Sequence, residues 1–432
     1  MKFIIVGAGL GGLSAALCFA RRGHEVLILE RNPALTPRGG AINIRPGASR
    51  IMREWDLEAD LTKISEQTPN FLLRRMDTGD ISMGSAAVDI SSFPDWGTFR
   101  QDVVQLLFRK ALDKGVRINF GSTVSKVSED AEGASVSLDN GALEKADVVV
   151  VADGIRSRLR SKILPGGPEA TDPAISRVTF YGFQVPADDL RSHPGTSRLM
   201  DQVSGNCWLG KGAFVITRFN SRLQRVGFLF GVESETDQKS LWEEHGDINY
   251  VRERFAGSTC SELDVALSLA TECDRWKLAE MPDLPRWSSD GGRILLLGDS
   301  AHGMHPNAAQ GYSQIVEDIA VLDFLISYHS EKNKGLPLGH AQMQSVSQAW
   351  QAIRKPRVEQ IKTYSRWNTD LFLGKGAPIP GSQSAQHSLK SIKNVQPDIN
   401  ANFQSSRFLK WALDHDVVDE AKRFVKELEP KL

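Results

Sequence analysis

The chain has 432 residues, 41% apolar and 24% charged, and its 52 basic and 53 acidic side chains leave a net charge of −1. That length implies two or three domains and a core large enough to need no disulfide or metal staple. The balanced charge argues against nucleic acid or an anionic membrane as a partner held by bulk electrostatics. Cys18, Cys207, Cys260 and Cys273 form no C-x-x-C pair, and no His/Cys cluster reads as a metal site. They are expected to be buried free thiols of a reducing, cytoplasmic compartment.

From Phe3 to Ala20 almost nothing is polar. A membrane span or signal peptide fits poorly, because Gly7, Gly9, Gly11 and Gly12 interrupt the run and only Lys2 precedes it. A strand (Lys2–Val6), a glycine turn (Gly7–Gly12), a helix (Leu13–Arg22) and a second strand (Glu25–Glu30) fit better, making one βαβ unit. A helix is expected over Arg45–Leu57, short alternating strands over 70–97, and an amphipathic helix over Gln101–Asp113. Strands follow at Val116–Phe120, Val124–Ser128, Ala134–Leu138 and Ala146–Ala152, with a hairpin turn at Asp139-Asn140-Gly141. The chain is strand-rich to about residue 235, then has two helices within 238–270 and a last buried strand, Arg293–Leu297. Helices are expected at Ser313–His329, from about 339 to Leu373, and as one amphipathic segment at the C-terminus. The Ser/Gln-rich piece Gly381–Ser388 is the candidate for local disorder.

Gly7-Ala8-Gly9-Leu10-Gly11-Gly12 is a G-x-G-x-x-G between a strand and a helix, and Glu30 ends the next strand 18 residues after Gly12. In this context Gly7 permits the tight turn, Gly9 lets a pyrophosphate approach the backbone, and Gly12 lets helix pack on strand. The helix N-terminus offers unpaired N–H groups to the phosphates, and Glu30 accepts ribose hydroxyl protons. The motif alone does not separate FAD from NAD. Two later segments each follow a buried strand: Asp153-Gly154-Ile155-Arg156-Ser157-Arg158-Leu159-Arg160 and Gly298-Asp299-Ser300-Ala301-His302, the latter running on through His305-Pro306 to Gln310-Gly311-Tyr312.

In this order and spacing the three motifs resemble those of the group A flavoprotein monooxygenases, the single-component FAD-dependent aromatic hydroxylases. The resemblance is closest to the salicylate-hydroxylase-like branch with its fungal biosynthetic enzymes, covers about residues 1–330, and continues weakly at Trp411–Asp416. It implies an α/β fold: a Rossmann-like FAD-binding domain with an inserted β-rich substrate domain and C-terminal helices. The expected division is 1–70, 98–172 and 275–340 for FAD, 71–97 and 173–274 for substrate, and 341–432 helical. It also implies bound FAD, NAD(P)H as a transient co-substrate without its own Rossmann domain, and O2. Oxygen would reach an aromatic or other electron-rich small molecule through a flavin C4a-hydroperoxide, possible work for a secondary metabolism, in a monomer or homodimer.

Residue by residue, the resemblance places Glu30 on the adenosine ribose, Arg31 near the adenine and Ala41, after Gly40, along the flavin. Arg100 would hold the cofactor from the opposite side, Asp153 would lie near the NAD(P)H path, and Asp299 would bond the ribityl or ribose hydroxyls. Pro306, Gly311 and Tyr312 would run along the isoalloxazine ring. Ala309 stands where many relatives have glycine, which puts the loop geometry in question. His302 reads as a packing histidine or a base, and His305 as a proton-handling residue. Arg177, Tyr181, Trp208 and Arg218 could face a substrate from the middle strands or face elsewhere. Two other functions stay open at this level: a flavin dehydrogenase or reductase that inserts no oxygen, and a non-catalytic escort protein built on the same βαβ start.

Overall fold

The computed structural model describes residues 1–36, 39–67, 70–85, 91–200, 204–233, 242–375, 403 and 405–428. Five parallel strands form the first layer, in the order Ile294–Leu296, Val148–Val151, Lys2–Val6, Glu25–Leu29 and Arg117–Asn119. They are unbroken apolar runs because both faces are covered. Helices Leu10–Arg21, Arg100–Asp113 and Gly311–Lys332 pack together on one face. An antiparallel sheet of Val124–Glu129, Ala134–Leu138 and Leu143–Ala146 closes the other through Val127, Ala134 and Val136.

The second layer is an eight-stranded sheet in the order Trp242–Gly246, Cys273–Glu280, Ala174–Pro186, Arg225–Glu233, Ala213–Asn220, Ser204–Gly210, Asn70–Arg75 and Ile81–Ser85. All neighbours are antiparallel except Asn70–Arg75 beside Ser204–Gly210. One face packs on helices Ile248–Phe255 and Ser261–Leu269 through Val215, Phe228 and Phe230. The opposite face, with Phe180, Cys207, Phe214 and Leu278, meets Phe372 and Leu373 at the end of the helix His340–Phe372. A small sheet of Ala41–Ile44, Trp96–Phe99 and Glu66–Gln67 joins the layers, with Phe99 filling the space over Gly227.

Most expected elements lie within a few residues of those observed. The first helix begins earlier, at Leu10, so Gly11 and Gly12 are helical. The run Ala146–Ala152 is not one strand: Leu143–Ala146 belongs to the antiparallel sheet and Val148–Val151 to the parallel one. Asp147, between them, accepts Lys2 N–H at 2.6 Å and marks the change of sheet. The C-terminal segment is two helices, Ser406–Asp414 and Val417–Leu428. The expected domain break at 274/275 falls inside the strand Cys273–Glu280. The piece Gly381–Ser388 lies outside the described residues. Among the described residues no helix is long and apolar enough to cross a membrane, and all four cysteines are free and buried.

Glu317 and Asp318, in the second turn of helix Gly311–Lys332, are fully buried. Arg354 donates to Glu317 Oε2 (2.7 Å) and Asp318 Oδ1 (2.8 Å), and Arg357 donates to both Glu317 oxygens (2.7 and 2.9 Å). His302 Nε2 lies 2.6 Å from Asp318 Oδ2, the packing role rather than that of a base. Burial raises the Glu317 carboxyl, but the charges of Arg357 and Arg354 overcome it and bring it down to about 2. A depressed folded-state pKa stabilises above the unfolded value of 4.5 and loses that contribution as pH falls toward 2. Stability should therefore decline below about pH 4.5. Arg354→Met leaves Asp318 and half of Glu317 without their guanidinium and should cost about 3–5 kcal/mol at neutral pH. A urea titration checks this, and an unchanged midpoint would contradict it.

Candidate active site

The site is built at the carboxyl ends of the parallel strands, where the βαβ turn leaves the sheet. Gly7 has φ +104°, and a Cβ there would lie 2.7 Å from Ala152 O, against the neighbouring strand's end. A Cβ on Gly12 would lie 1.9 Å from Gly7 O, so only glycine allows the helix to pack this close. Nothing stands within 4 Å of the Cβ direction of Gly9, which opens the turn to a ligand. The helix it starts has no side-chain cap and no acid in its first turn, leaving its N–H groups for an anion. Glu30 is held over this turn: Oε2 accepts Ala8 N–H (2.7 Å) and Oε1 accepts Asn32 N–H (2.9 Å).

Arg31 and Arg156 are exposed; Arg31 lies close enough to influence both Arg156 and Asp153. Burial pushes the Asp153 carboxyl up, and its Oδ1 is buried with no hydrogen-bond partner among the described residues. An orphaned acceptor at a strand end suits a hydroxyl or amide donor of a cofactor. Arg160, in the same motif, is buried. It donates to Thr171 O (2.7 Å), Ile155 O (3.0 Å) and Ser300 O (3.0 Å), and so ties the D-G segment to the G-D segment. Asp299 follows Gly298 (φ +64°), opens the short helix Asp299–His302 and is exposed. Arg100 is exposed and covers Gly39, with its N–H bonded to Gly40 O (3.1 Å), beside the exposed Ala41.

The segment Met304–Gly311 forms a braced loop. Ala309 sits in the left-handed region at φ 50°, ψ 42°, the conformation a glycine adopts without strain. Arg45 holds it there, donating to Ala309 O (3.1 Å) and Ala308 O (3.4 Å) while paired with Asp95 (2.7 Å). Helix His340–Phe372 holds the other side: Ser365 Oγ accepts Ala308 N–H (3.2 Å), and Asn368 donates to Asn307 O (3.0 Å). Gln310 donates to Ala412 O (2.6 Å) in the C-terminal segment. Pro306 is exposed, and Gly311 opens a long helix with no side-chain cap. Tyr312 is expected to offer its backbone N–H to the flavin, and its side chain points elsewhere. Its side chain is buried against the first helix, sharing a 2.9 Å hydrogen bond with Ser14 Oγ, so only its backbone is near the loop.

The middle strands divide the remaining candidates. Alternation puts Arg218 on the face of Phe214 and Ile216, where it is buried and donates to Asn43 Oδ1 (2.9 Å). Burial lowers its guanidinium to about 10. Tyr181 and Trp208 lie on the opposite face. Tyr181 packs on Tyr250 (5.5 Å between rings), and Trp208 Nε1 donates to Thr217 (3.0 Å). Arg177 is exposed on a strand whose register is broken between Ile175 and Thr179. Of these four residues, left open to face a substrate or elsewhere, Arg218 lies on the face that meets the small sheet through Asn43, Tyr181 and Trp208 lie on the other face, and Arg177 is exposed beside the irregularity. Sequence reading missed Arg45, Ser365, Asn368 and Thr369. The one available signal was the polar run Ser365, Asn368, Thr369 on an otherwise core-facing stripe.

The open turn, Glu30, the orphaned Asp153 oxygen, the exposed Asp299 and two uncapped helix N-termini fit an extended dinucleotide such as FAD. A family model described as FAD binding domain matches residues 1–333. The chain is 30% identical over 405 residues to the FAD-dependent monooxygenase ntnJ of Nectria sp., covering 92% of this chain and 91% of that protein. It is 27% identical to the 6-hydroxynicotinate 3-monooxygenase of Bordetella bronchiseptica, covering 85% of this chain and 91% of that one. Its fold matches the crystal structure of CtdE in complex with FAD and a substrate, with TM-score 0.82, 22% identity, and coverage of 99% and 98%. The chain belongs to the FAD-binding-domain family and is an FAD-dependent monooxygenase of the group A flavoprotein hydroxylases.

Proposed function

We propose that this enzyme hydroxylates an electron-rich aromatic small molecule, using NAD(P)H and O2, between the loop Met304–Gly311 and the sheet face that carries Arg218. The observation that carries the reading is this pairing of surfaces. Arg45, which donates to Ala309 O and Ala308 O of the loop, lies close enough to Arg218 to act on its charge, and Arg218 sits on the sheet face that also carries Phe71, Phe180 and Trp276. The name of the Bordetella relative, which acts on a hydroxylated ring, supports an aromatic substrate.

Bound FAD supplies the redox chemistry of oxygen activation. Glu30 would hold the ribose, the N-terminus of Leu10–Arg21 the pyrophosphate, Asp299 a sugar-alcohol hydroxyl and Arg100 the far side. The backbone N–H groups at Gly311 and Tyr312 would face the flavin's pyrimidine edge, where the helix start favours developing negative charge. The aromatic face excludes water from the reacting atoms. Arg218, already bonded to Asn43 on the flavin-lining strand, would favour an anionic substrate group beside it.

The reading is tested by screening phenols, aromatic acids and indoles for faster NAD(P)H oxidation, O2 uptake and a product that has gained one oxygen atom. Hydrogen peroxide as the sole product with every stimulating compound would overturn it.

Glu30→Ala removes the acceptor of two backbone N–H groups as well as of the ribose. It should reduce FAD retention by roughly tenfold or more, equivalent to about 1.5–3 kcal/mol. Asp299→Ala, at an exposed position, should fold normally yet purify flavin-poor and inactive. Absorbance of the bound flavin against protein checks both, and full occupancy in both would remove these residues from the site. Ala309→Gly relieves the left-handed strain and should raise stability by up to about 1 kcal/mol with unchanged FAD content. A urea midpoint that falls or stays put would contradict the strain.

A further inference from the structure

His305 lies where three elements meet: the loop after Asp299–His302, the end of the strand Cys273–Glu280 and the helix His340–Phe372. Met281 N–H donates to Gly303 O (2.8 Å) and pins the loop to the strand end. Among the described residues the imidazole has one hydrogen-bond partner: Nδ1 is 3.1 Å from Thr369 Oγ1. Nε2 has none.

Thr369 decides where the imidazole proton sits. Its hydroxyl has three neighbours: Ser365 O at 2.9 Å, Asn307 Nδ2 at 2.9 Å and His305 Nδ1 at 3.1 Å. A hydroxyl has one proton and two lone pairs. Ser365 O can only accept and the Asn307 amide nitrogen can only donate. All three contacts are satisfied when the Thr369 proton goes to Ser365 O and its lone pairs receive the two nitrogens. That arrangement puts a hydrogen on His305 Nδ1, and in the neutral ring the lone pair is then on Nε2.

The charged groups around the ring are Glu280 from the strand end and Lys362, Arg366 and Asp370 from the helix. Arg366 is paired with Glu280 (2.9 Å) and Lys362 with Asp283 (2.6 Å), so neither cation is spare. Burial is the largest influence and holds the imidazole below its usual 6.5, so it is neutral at physiological pH.

We propose that Thr369 is a positioning residue of the oxygen-transfer site: its hydroxyl holds His305 in the Nδ1–H form, so that Nε2 receives the proton of a substrate hydroxyl or ring N–H. The proposal rests on the hydroxylase reading above and extends it to the substrate class, an aromatic carrying an ionisable O–H or N–H. In the step, the substrate's O–H or N–H bond breaks and an N–H bond forms at Nε2. The electron pair stays on the substrate as an anion, which makes its ring carbons better nucleophiles. Nothing is oxidised or reduced. The imidazolium keeps its Nδ1–H on Thr369, and the proton passes to water when His305 returns to its neutral form.

The test uses the FAD-loaded enzyme with 15N-labelled histidine, the His305 signals being assigned by their loss in His305→Gln. At about pH 8 the neutral tautomer is read directly from the two ring nitrogens. Wild type and Thr369→Ser should carry the hydrogen on Nδ1, whereas in Thr369→Val, isosteric but without the acceptor, it should move to Nε2. With a stimulating phenol, Thr369→Val should lose roughly tenfold or more in kcat with little change in KM, and Thr369→Ser should restore it. The acid limb of kcat/KM, set below 6.5 by His305, should vanish in His305→Gln. A hydrogen on Nε2 in the wild type, or one that stays on Nδ1 in Thr369→Val, overturns the role of Thr369. The expected tautomers with an unchanged kcat and pH profile in His305→Gln overturn the proton-acceptor role. Absence of any oxygenated product would instead overturn the hydroxylase reading, leaving the tautomer result standing.

Discussion

Two carboxylates near the start of the helix Gly311–Lys332 cannot be buried unless they are paired, and the architecture around the flavin layer follows from that constraint. Glu317 and Asp318 sit one turn or more inside a helix whose N-terminus has no side-chain cap. Their partners, Arg354 and Arg357, are on a helix from the far side of the chain. Arg357 also donates to Trp411 O (2.9 Å) and Ala412 O (3.1 Å), which fixes the end of the helix Ser406–Asp414 against the same spot. His302 completes the knot from the G-D loop. Four segments distant in sequence are thereby held in register by charge-assisted bonds with little freedom in direction.

That register matters because the loop Met304–Gly311 has almost no apolar core of its own. Its shape is imposed by bonds from Arg45, Ser365 and Asn368 and from its own Gln310 to Ala412 O, and Ser365, Asn368 and Ala412 lie on elements the ionic knot has already placed. The left-handed Ala309 is tolerated for the same reason: the surrounding bonds over-determine the loop, so a residue can be kept in a costly conformation. A loop held this way presents fixed backbone N–H groups without reorganising, which is what stabilising developing charge requires.

The parts legible in the sequence are those whose physics is local. G-x-G-x-x-G between a strand and a helix has one steric solution, visible in the 1.9 Å approach to Gly7 O that only Gly12 permits. The acid at Glu30 and the strand-end positions of Asp153 and Asp299 follow from chain direction and strand length. The substrate side is different. Which of Tyr181 and Arg218 shares a face with the small sheet depends on how the strands pair, Tyr181 opposite Phe230 and Phe230 opposite Val215, and no residue pattern marks that register. Arg45 and Thr369 act across 264 and 64 residues of chain, distances at which no periodicity carries information.

The two kinds of site therefore sit on different supports. The dinucleotide-binding motifs lie at strand ends and helix starts of the parallel layer, where backbone geometry sets their shape. The antiparallel sheet and the helix His340–Phe372 meet through Phe372 and Leu373. The layers are joined through the small sheet of Ala41–Ile44 and Trp96–Phe99 and by side chains, Arg218 donating to Asn43 and Arg225 to Asp102. His305 adds a further link. Its backbone carbonyl accepts Ser365 Oγ and its ring rests on Thr369, so one residue is tied at both ends to the helix His340–Phe372 while its loop continues into the helix Gly311–Lys332. A proton acceptor placed at that junction senses the substrate's position and the cofactor loop together, and this coupling requires the loop and the helix to be held as one rigid unit.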